Sequence, residues 1–200
     1  MSRIGLFGGT FDPPHLGHII LASEALHELK LDKILWILTP RSPLKINNQI
    51  SPLEQRLELV NAALRGIPEF RLSLVDVQRE SPYYAVDTVN ILKNENPGDA
   101  FIYLMGSDSL RDLPRWHEPA AFIDSVNELG VYRRPEAYPD LDVLETVCPG
   151  IKTKTTFFNA PMIEISGADI RQRIKDGRPF RYFLLPSVYQ NIKRHSYYGA

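Results

Sequence analysis

Six short apolar runs rich in β-branched and aromatic residues alternate along this chain with segments of helical spacing, and no other feature restricts the fold as strongly. The runs are RIGLFG (3–8), KILWILT (33–39), FRLSLVDV (70–77), AFIYLMG (100–106), ELGVYRR (128–134) and PMIEIS (161–166). Strands that are apolar almost throughout must be buried on both faces, which is the condition of a parallel sheet with helices on either side. The predicted fold class is therefore α/β, a doubly wound parallel sheet.

The intervening segments support this reading. Leu16, Ile19, Ile20, Ser23, Leu26 and Lys30 share one stripe, apolar until its end, as in a helix packed on a sheet. Ser51-Pro52-Leu53-Glu54 reads as a capping box with proline at the first helical position, followed by Leu53, Leu57, Val60 and Leu64 on one face. Further helices are expected to start near Tyr84, Glu118, Ser166 and Ser187. The stretch 135–156, with Pro135, Pro139 and Pro149, is expected to wander irregularly over the surface. With 200 residues and no repeat or long linker, residues 1–200 are read as a single domain, the part from about 166 to 200 being helical and packed on the sheet.

A formal net charge of −1 offers no surface-wide basic field for nucleic-acid phosphates, so a polyanion site has to be local. Cys148 is the only cysteine, which excludes an internal disulfide and suits a reducing compartment. No apolar stretch reaches the roughly 18 residues of a membrane span, and MSRIGLFGG lacks a signal pattern. These features predict a cytoplasmic enzyme without nucleic-acid or membrane partners.

Ligands of open parallel sheets sit where strands end and helices begin. The first such turn is GGTFDPPHLGH, residues 8–18. Gly8 and Gly9 permit close backbone approach, the start of a helix presents unpaired N–H groups, and His15 and His18 are neighbours on its surface. Together these make a phosphate pocket. The glycine spacing fits neither the dinucleotide fingerprint nor the P-loop, and a zinc site would lack a third ligand nearby. A bare His-x-x-His is also common on ordinary helix surfaces.

The full string resembles the signature of the HxGH nucleotidylyltransferases, and the paired glycines with Pro13-Pro14 resemble the form found in bacterial nicotinate-nucleotide adenylyltransferases. That resemblance implies a Rossmann-like nucleotidylyltransferase fold, ATP and nicotinate mononucleotide as substrates, and deamido-NAD and pyrophosphate as products. It also gives roles to residues. His18 is expected at the α-phosphate in the transition state and His15 beside it, with Thr10 and the backbone near Gly8, Gly9 and Phe11 around them. Near the other end, Ser166 to Arg171 in SGADIR matches the family's Ser-x-x-x-Ile/Leu-Arg element, so Ser166 would meet the ATP phosphates and Arg171 the leaving pyrophosphate. Gly167 stands where many relatives carry Ser or Thr.

On the acceptor side the resemblance assigns Lys45, in TPRSPLK, to the attacking phosphate, although Leu44 replaces the histidine many relatives have there. Trp116 would stack on the pyridine ring, Thr88 and the N–H of His117 would meet its carboxylate, and Gly106 with Asp108 would serve a ribose. Arg133 is assigned to the acceptor, with Arg134 left open as its alternative. Mg2+ is expected on the triphosphate without a protein carboxylate cage, Asp12 being read as a cap of the first helix. A homo-oligomer is compatible with the sequence. Competing readings are a sibling transferase for nicotinamide mononucleotide, pantetheine phosphate or a cytidylyl donor, a non-catalytic nucleotide-binding module, and a nicotinamide-dependent dehydrogenase, the last disfavoured by the missing glycine fingerprint.

Overall fold

A computed structural model describes residues 1–43, 49–134 and 139–200. Its strands are β1 (Arg3–Gly9), β2 (Lys33–Leu38), β3 (Phe70–Ser73), β4 (Ala100–Gly106), β5 (Glu128–Tyr132) and β6 (Thr155–Phe158). They form one sheet in the order β3-β2-β1-β4-β5-β6, every neighbouring pair parallel. The helices are α1 (Leu16–Glu28), α2 (Leu53–Leu64), α3 (Ala85–Glu95), α4 (Ser107–Arg111), α5 (Pro119–Ser125), α6 (Leu141–Val147), α7 (Ile151–Lys154), α8 (Gly167–Lys175) and α9 (Pro186–His195). Chain progression reverses between β1 and β4, the switch point at which open parallel sheets bind ligands.

Both faces of the sheet are covered, and strand alternation decides which side chain goes where. Leu6, Ile37, Phe101 and Met105 point to one face, where Val86, Val89 and Leu92 of α3 and Phe122 and Ile123 of α5 cover them. Their strand neighbours Phe7, Trp36, Ile102 and Leu104 point to the other, against Ala22 and Ala25 of α1 and Val60 and Leu64 of α2. Five of the six strands supply both cores, which is why most of them read as continuous apolar runs; β3 gives Phe70 and Leu72 to the second core alone.

Five of the runs expected to be strands contain β1 to β5; the sixth does not. Residues 161–166 lie outside any strand, with Met162 59% and Ile163 37% exposed. The sixth strand is TTFF, paired to β5 from Leu129↔Thr155 to Tyr132↔Phe158. Its rings alternate in the required manner, Phe157 on one core and Phe158 on the other. The segment expected to be irregular thus holds α6, α7 and the first half of β6. Asp140 caps α6 by accepting from the N–H groups of Asp142 and Val143, and Leu144, Cys148 and Ile151 are buried beneath.

Two capping expectations are also corrected. Pro52 is itself the N-cap of α2, which puts Ser51 one position ahead of the cap, and α2 has no side-chain cap; the Ser51 N–H donates to Asp12 Oδ2 at 3.1 Å. Asp12 does not cap α1 either; His15 occupies that position. The helical part after residue 166 packs through α2: Ile170, Ile174, Val188 and Ile192 cluster with Leu59, Ala62 and Ala63. No helix among the described residues is long and apolar enough to cross a membrane.

Candidate active site

At the carboxyl ends of the strands lies a cleft of about 1560 Å³. Gly8, Gly9, Thr10, Phe11, His15 and His18 line it from the β1–α1 turn, Gly106 and Asp108 from the end of β4, and Ser166 and Arg171 from α8. Thr88, Trp116 and His117 line it as well. The structure therefore brings together nearly all the residues singled out in the sequence. Lys45 lies outside the described residues.

The turn that carries the histidines is held from below. Phe11 adopts φ +46°, rare for a residue with a side chain, and its ring is only 2% exposed, packed 4.9 Å from Trp36 and 5.1 Å from His18. The fully buried Arg56 donates to the carbonyls of Thr10, Thr39, Pro40 and Ser51, tying the loops after β1 and β2 to α2. Nothing local marks Arg56 as functional, but a charge on the apolar stripe between Leu53 and Val60 was a visible anomaly.

His15 and His18 stack with ring centroids 3.7 Å apart. The His15 N–H donates to Nδ1 of His18 at 3.2 Å, which leaves Nε2 as the proton-bearing nitrogen of the neutral His18 ring. Burial pulls the His15 pKa down to about 4; burial, then His15 and Arg134, lower that of His18 as well. Both rings are neutral near pH 7, each with one ring N–H to donate. His15 Nδ1 and Asp108 Oδ1 are buried without a hydrogen-bond partner among the described residues, as expected where a ligand completes the site.

Ser166 caps α8 by accepting from the Asp169 N–H at 3.1 Å. Gly17 in the first turn of α1 and Gly167 in the first turn of α8 both line the cleft, so two helix N-termini, each with unpaired N–H groups and a positive dipole end, meet there. Gly167 is required by this convergence. A Cβ at that position would stand 2.5 Å from the Asp12 carbonyl oxygen, a contact that excludes the Ser or Thr of many relatives unless the backbone shifts.

The acceptor end is built differently from the sequence expectation in two respects. Thr88 is buried, with Oγ1 donating to Asp76 Oδ1 at 2.6 Å and accepting from Arg79 at 3.0 Å, while its N–H reaches the Tyr84 carbonyl at 3.2 Å. Its donors are spent within the protein, so it shapes the wall of the cleft and has none left for a ring carboxylate. Of the two arginines, Arg134 lines the cleft, 3.5 Å from Asp108, whereas Arg133 lies over the Phe157 ring at 4.4 Å. The assignment of Arg133 is thereby corrected to Arg134, since successive residues of an extended chain face opposite ways.

Trp116 is both core and cleft residue. It packs 5.2 Å from Phe122 and 6.0 Å from Tyr103 while lining the cavity. Beside it His117 stacks on Tyr84 at 3.9 Å. Asp76 and Arg79, from the connection between β3 and α3, and Tyr103 of β4 belong to this region and carried no sequence signal, because only folding brings that connection beside α3 and β4.

Among the described residues no cluster of three or more His, Cys, Asp or Glu side chains could hold a metal ion. Asp12 is committed to Ser51, Tyr198 and Arg171.

Known proteins give the same picture. A family model described as "Cytidylyltransferase-like" matches residues 6–173. A relative from Thermomicrobium roseum, named "Probable nicotinate-nucleotide adenylyltransferase", is 41% identical over 99% of this chain and 92% of its own. The "Nicotinate-nucleotide adenylyltransferase" of Bacillus subtilis is 33% identical over the whole of both chains. In structure, the Plasmodium falciparum nicotinic acid mononucleotide adenylyltransferase, solved in complexes with APC and with NaAD, superposes with a TM-score of 0.76 over 99% of this chain and 98% of its own; at 17% identity it establishes the fold alone. By the span of the family match and the identity of these relatives, the chain belongs to the cytidylyltransferase-like family, among its nicotinate-nucleotide adenylyltransferases.

Proposed function

We infer that this chain joins nicotinate mononucleotide to the adenylyl group of ATP, forming nicotinate adenine dinucleotide and releasing pyrophosphate, a step of NAD biosynthesis. One observation carries the mechanism: His15, His18 and Arg171, from opposite ends of the chain, line one cleft with Trp116. A phosphate oxygen of nicotinate mononucleotide attacks the α-phosphorus of ATP. The bond to the bridging oxygen breaks, and pyrophosphate leaves with the electron pair. The attacking phosphate is already ionised at neutral pH, so no general base is required; the work is alignment of two anions and stabilisation of moving charge.

In this reading His18 donates to the α-phosphate, with His15 and Thr10 beside it, and Arg171 and Ser166 receive the leaving end. Gly106 and Asp108 hold a ribose. Trp116 stacks on the pyridine ring, the His117 N–H meets the ring carboxylate, and Arg134 adds positive charge nearby. Lys45 is assigned to the attacking phosphate on its sequence position. Magnesium is proposed to arrive with ATP as its counterion, and a cytosolic site of action fits a chain with one cysteine.

Pyrophosphate release measured across nicotinate mononucleotide, nicotinamide mononucleotide and pantetheine phosphate tests the assignment. The acid is expected to give the highest kcat/KM; a preference for either other acceptor overturns it. Trp116→Ala should raise KM for the pyridine nucleotide about tenfold while leaving KM for ATP nearly unchanged, as loss of one stacking surface implies.

A further inference from the structure

Asp12 links segments far apart in sequence through one nearly buried carboxylate, 7% exposed. Its Oδ1 accepts from the Tyr198 hydroxyl at 2.9 Å, and its Oδ2 accepts from the Ser51 N–H at 3.1 Å. Nη1 of Arg171 lies 3.5 Å from the same Oδ2 and also donates to the Asp12 carbonyl. Arg171 lines the cleft, whereas Tyr198 is not among the lining residues. Tyr198 therefore meets the phosphate-binding machinery through Asp12.

The segment bearing Tyr198 is fixed at some cost. Ser196 and Tyr198 both adopt left-handed backbone conformations, φ +52° and +61°, which persist only where surrounding contacts impose them. Tyr197 donates its hydroxyl to Glu58 of α2, and Tyr198 donates its own to Asp12. Burial first, and then the charge of Asp12, hold the Tyr198 phenol well above its usual range, so it remains a donor throughout the working pH range.

A guanidinium beside a buried carboxylate has two anions to choose from, the carboxylate and an incoming phosphate. Hydrogen bonds from other donors decide how strongly the carboxylate competes. We propose that Tyr198 is a positioning residue for adenylyl transfer: by occupying Oδ1 of Asp12 it keeps Arg171 turned toward the polyphosphate. Without the hydroxyl, Asp12 draws the guanidinium to itself and the cleft loses part of its grip on the leaving group. The proposal rests on the role given to Arg171 above.

The test is a double-mutant cycle of Tyr198→Phe and Arg171→Ala, read by calorimetric binding of an α,β-methylene analogue of ATP and by steady-state kinetics. Tyr198→Phe is expected to weaken analogue binding about tenfold, the usual scale for a hydrogen bond to a charged group, and to lower kcat, with KM for nicotinate mononucleotide unchanged. In the Arg171→Ala background the same substitution should change binding less than twofold. A wild-type dissociation constant for Tyr198→Phe, or an equal effect with and without Arg171, overturns the proposal. Should Tyr198→Phe fail to fold, Asp12→Asn replaces it in the same cycle with the opposite expected sign: without the competing charge the analogue should bind more tightly, and only while Arg171 is present; weaker binding, or an equal effect without Arg171, overturns the proposal. A wild-type chain that binds the analogue but adenylylates no acceptor refutes the activity alone, since the cycle still reads the coupling; one that does not bind the analogue refutes both.

Discussion

Burial lowers the pKa of His15 from 6.5 to about 4, and His18 moves in the same direction, so folding and protonation oppose each other at the mouth of α1. The sign follows from linkage: as pH falls below 6.5 the unfolded chain takes up a proton at position 15 that the folded chain refuses until near pH 4. Stability is accordingly lost between those values, by up to about 3 kcal/mol for His15. Urea denaturation midpoints recorded from pH 4 to 7 should rise with pH, and His15→Gln should show a distinctly flatter slope. In catalysis the consequence is different. In the proposed mechanism a neutral His18 donor stabilises charge that appears only as the α-phosphate is transferred, so His18→Ala should lower kcat roughly 10²-fold while KM for ATP moves little. Retention of near wild-type kcat would remove His18 from the mechanism.

Among the elements, α8 shows how a helix is delivered to a ligand. Its apolar face, Ile170 and Ile174, is fixed by α2 and α9, and its first residue abuts the Asp12 carbonyl. Gly167→Ser should cost roughly 1–3 kcal/mol by overpacking, seen as a lower melting temperature, and should weaken ATP binding because α8 must withdraw. The start of this helix was legible in the sequence, since Ser166 is a strong cap, but the strand expected before it was not real. Residues 161–166 have the composition of a strand without a partner to bury them. Thr155–Phe158, short and flanked by helices, has the partner and the alternation, and pairing with β5 is a fact of tertiary structure that no local window contains. Likewise Pro139 and Pro149 are residues of irregular chain, yet Asp140 between them has the capping geometry that starts α6.

For the whole molecule, the alternation of runs was sufficient to give a parallel sheet with helices on both faces, because burial on two sides leaves its mark in most of the strands. The strand order was not legible, nor were residues whose meaning is assembled from distant segments. Arg56 binds carbonyls of two strand-end loops, Arg134 rather than Arg133 turns inward, and Tyr198 meets Asp12 across 186 positions of sequence. The motif letters pointed to residues that line the cleft; the scaffold beneath them appeared only on folding.

Parallel strands carry a further consequence. Since β1, β2, β4 and β5 all deliver their ends to one rim, the turns that feed into them lie on the opposite rim. Gly98, exposed ahead of β4, has open space around it and a φ of +103°. A short flexible peptide bearing a fluorophore, inserted after Gly98, should leave kcat within about twofold of the parent chain, as exposed loop tips tolerate insertion. The rear of the sheet is thus a natural tether point, from which the molecule could be fixed to a surface with its working side facing the solution.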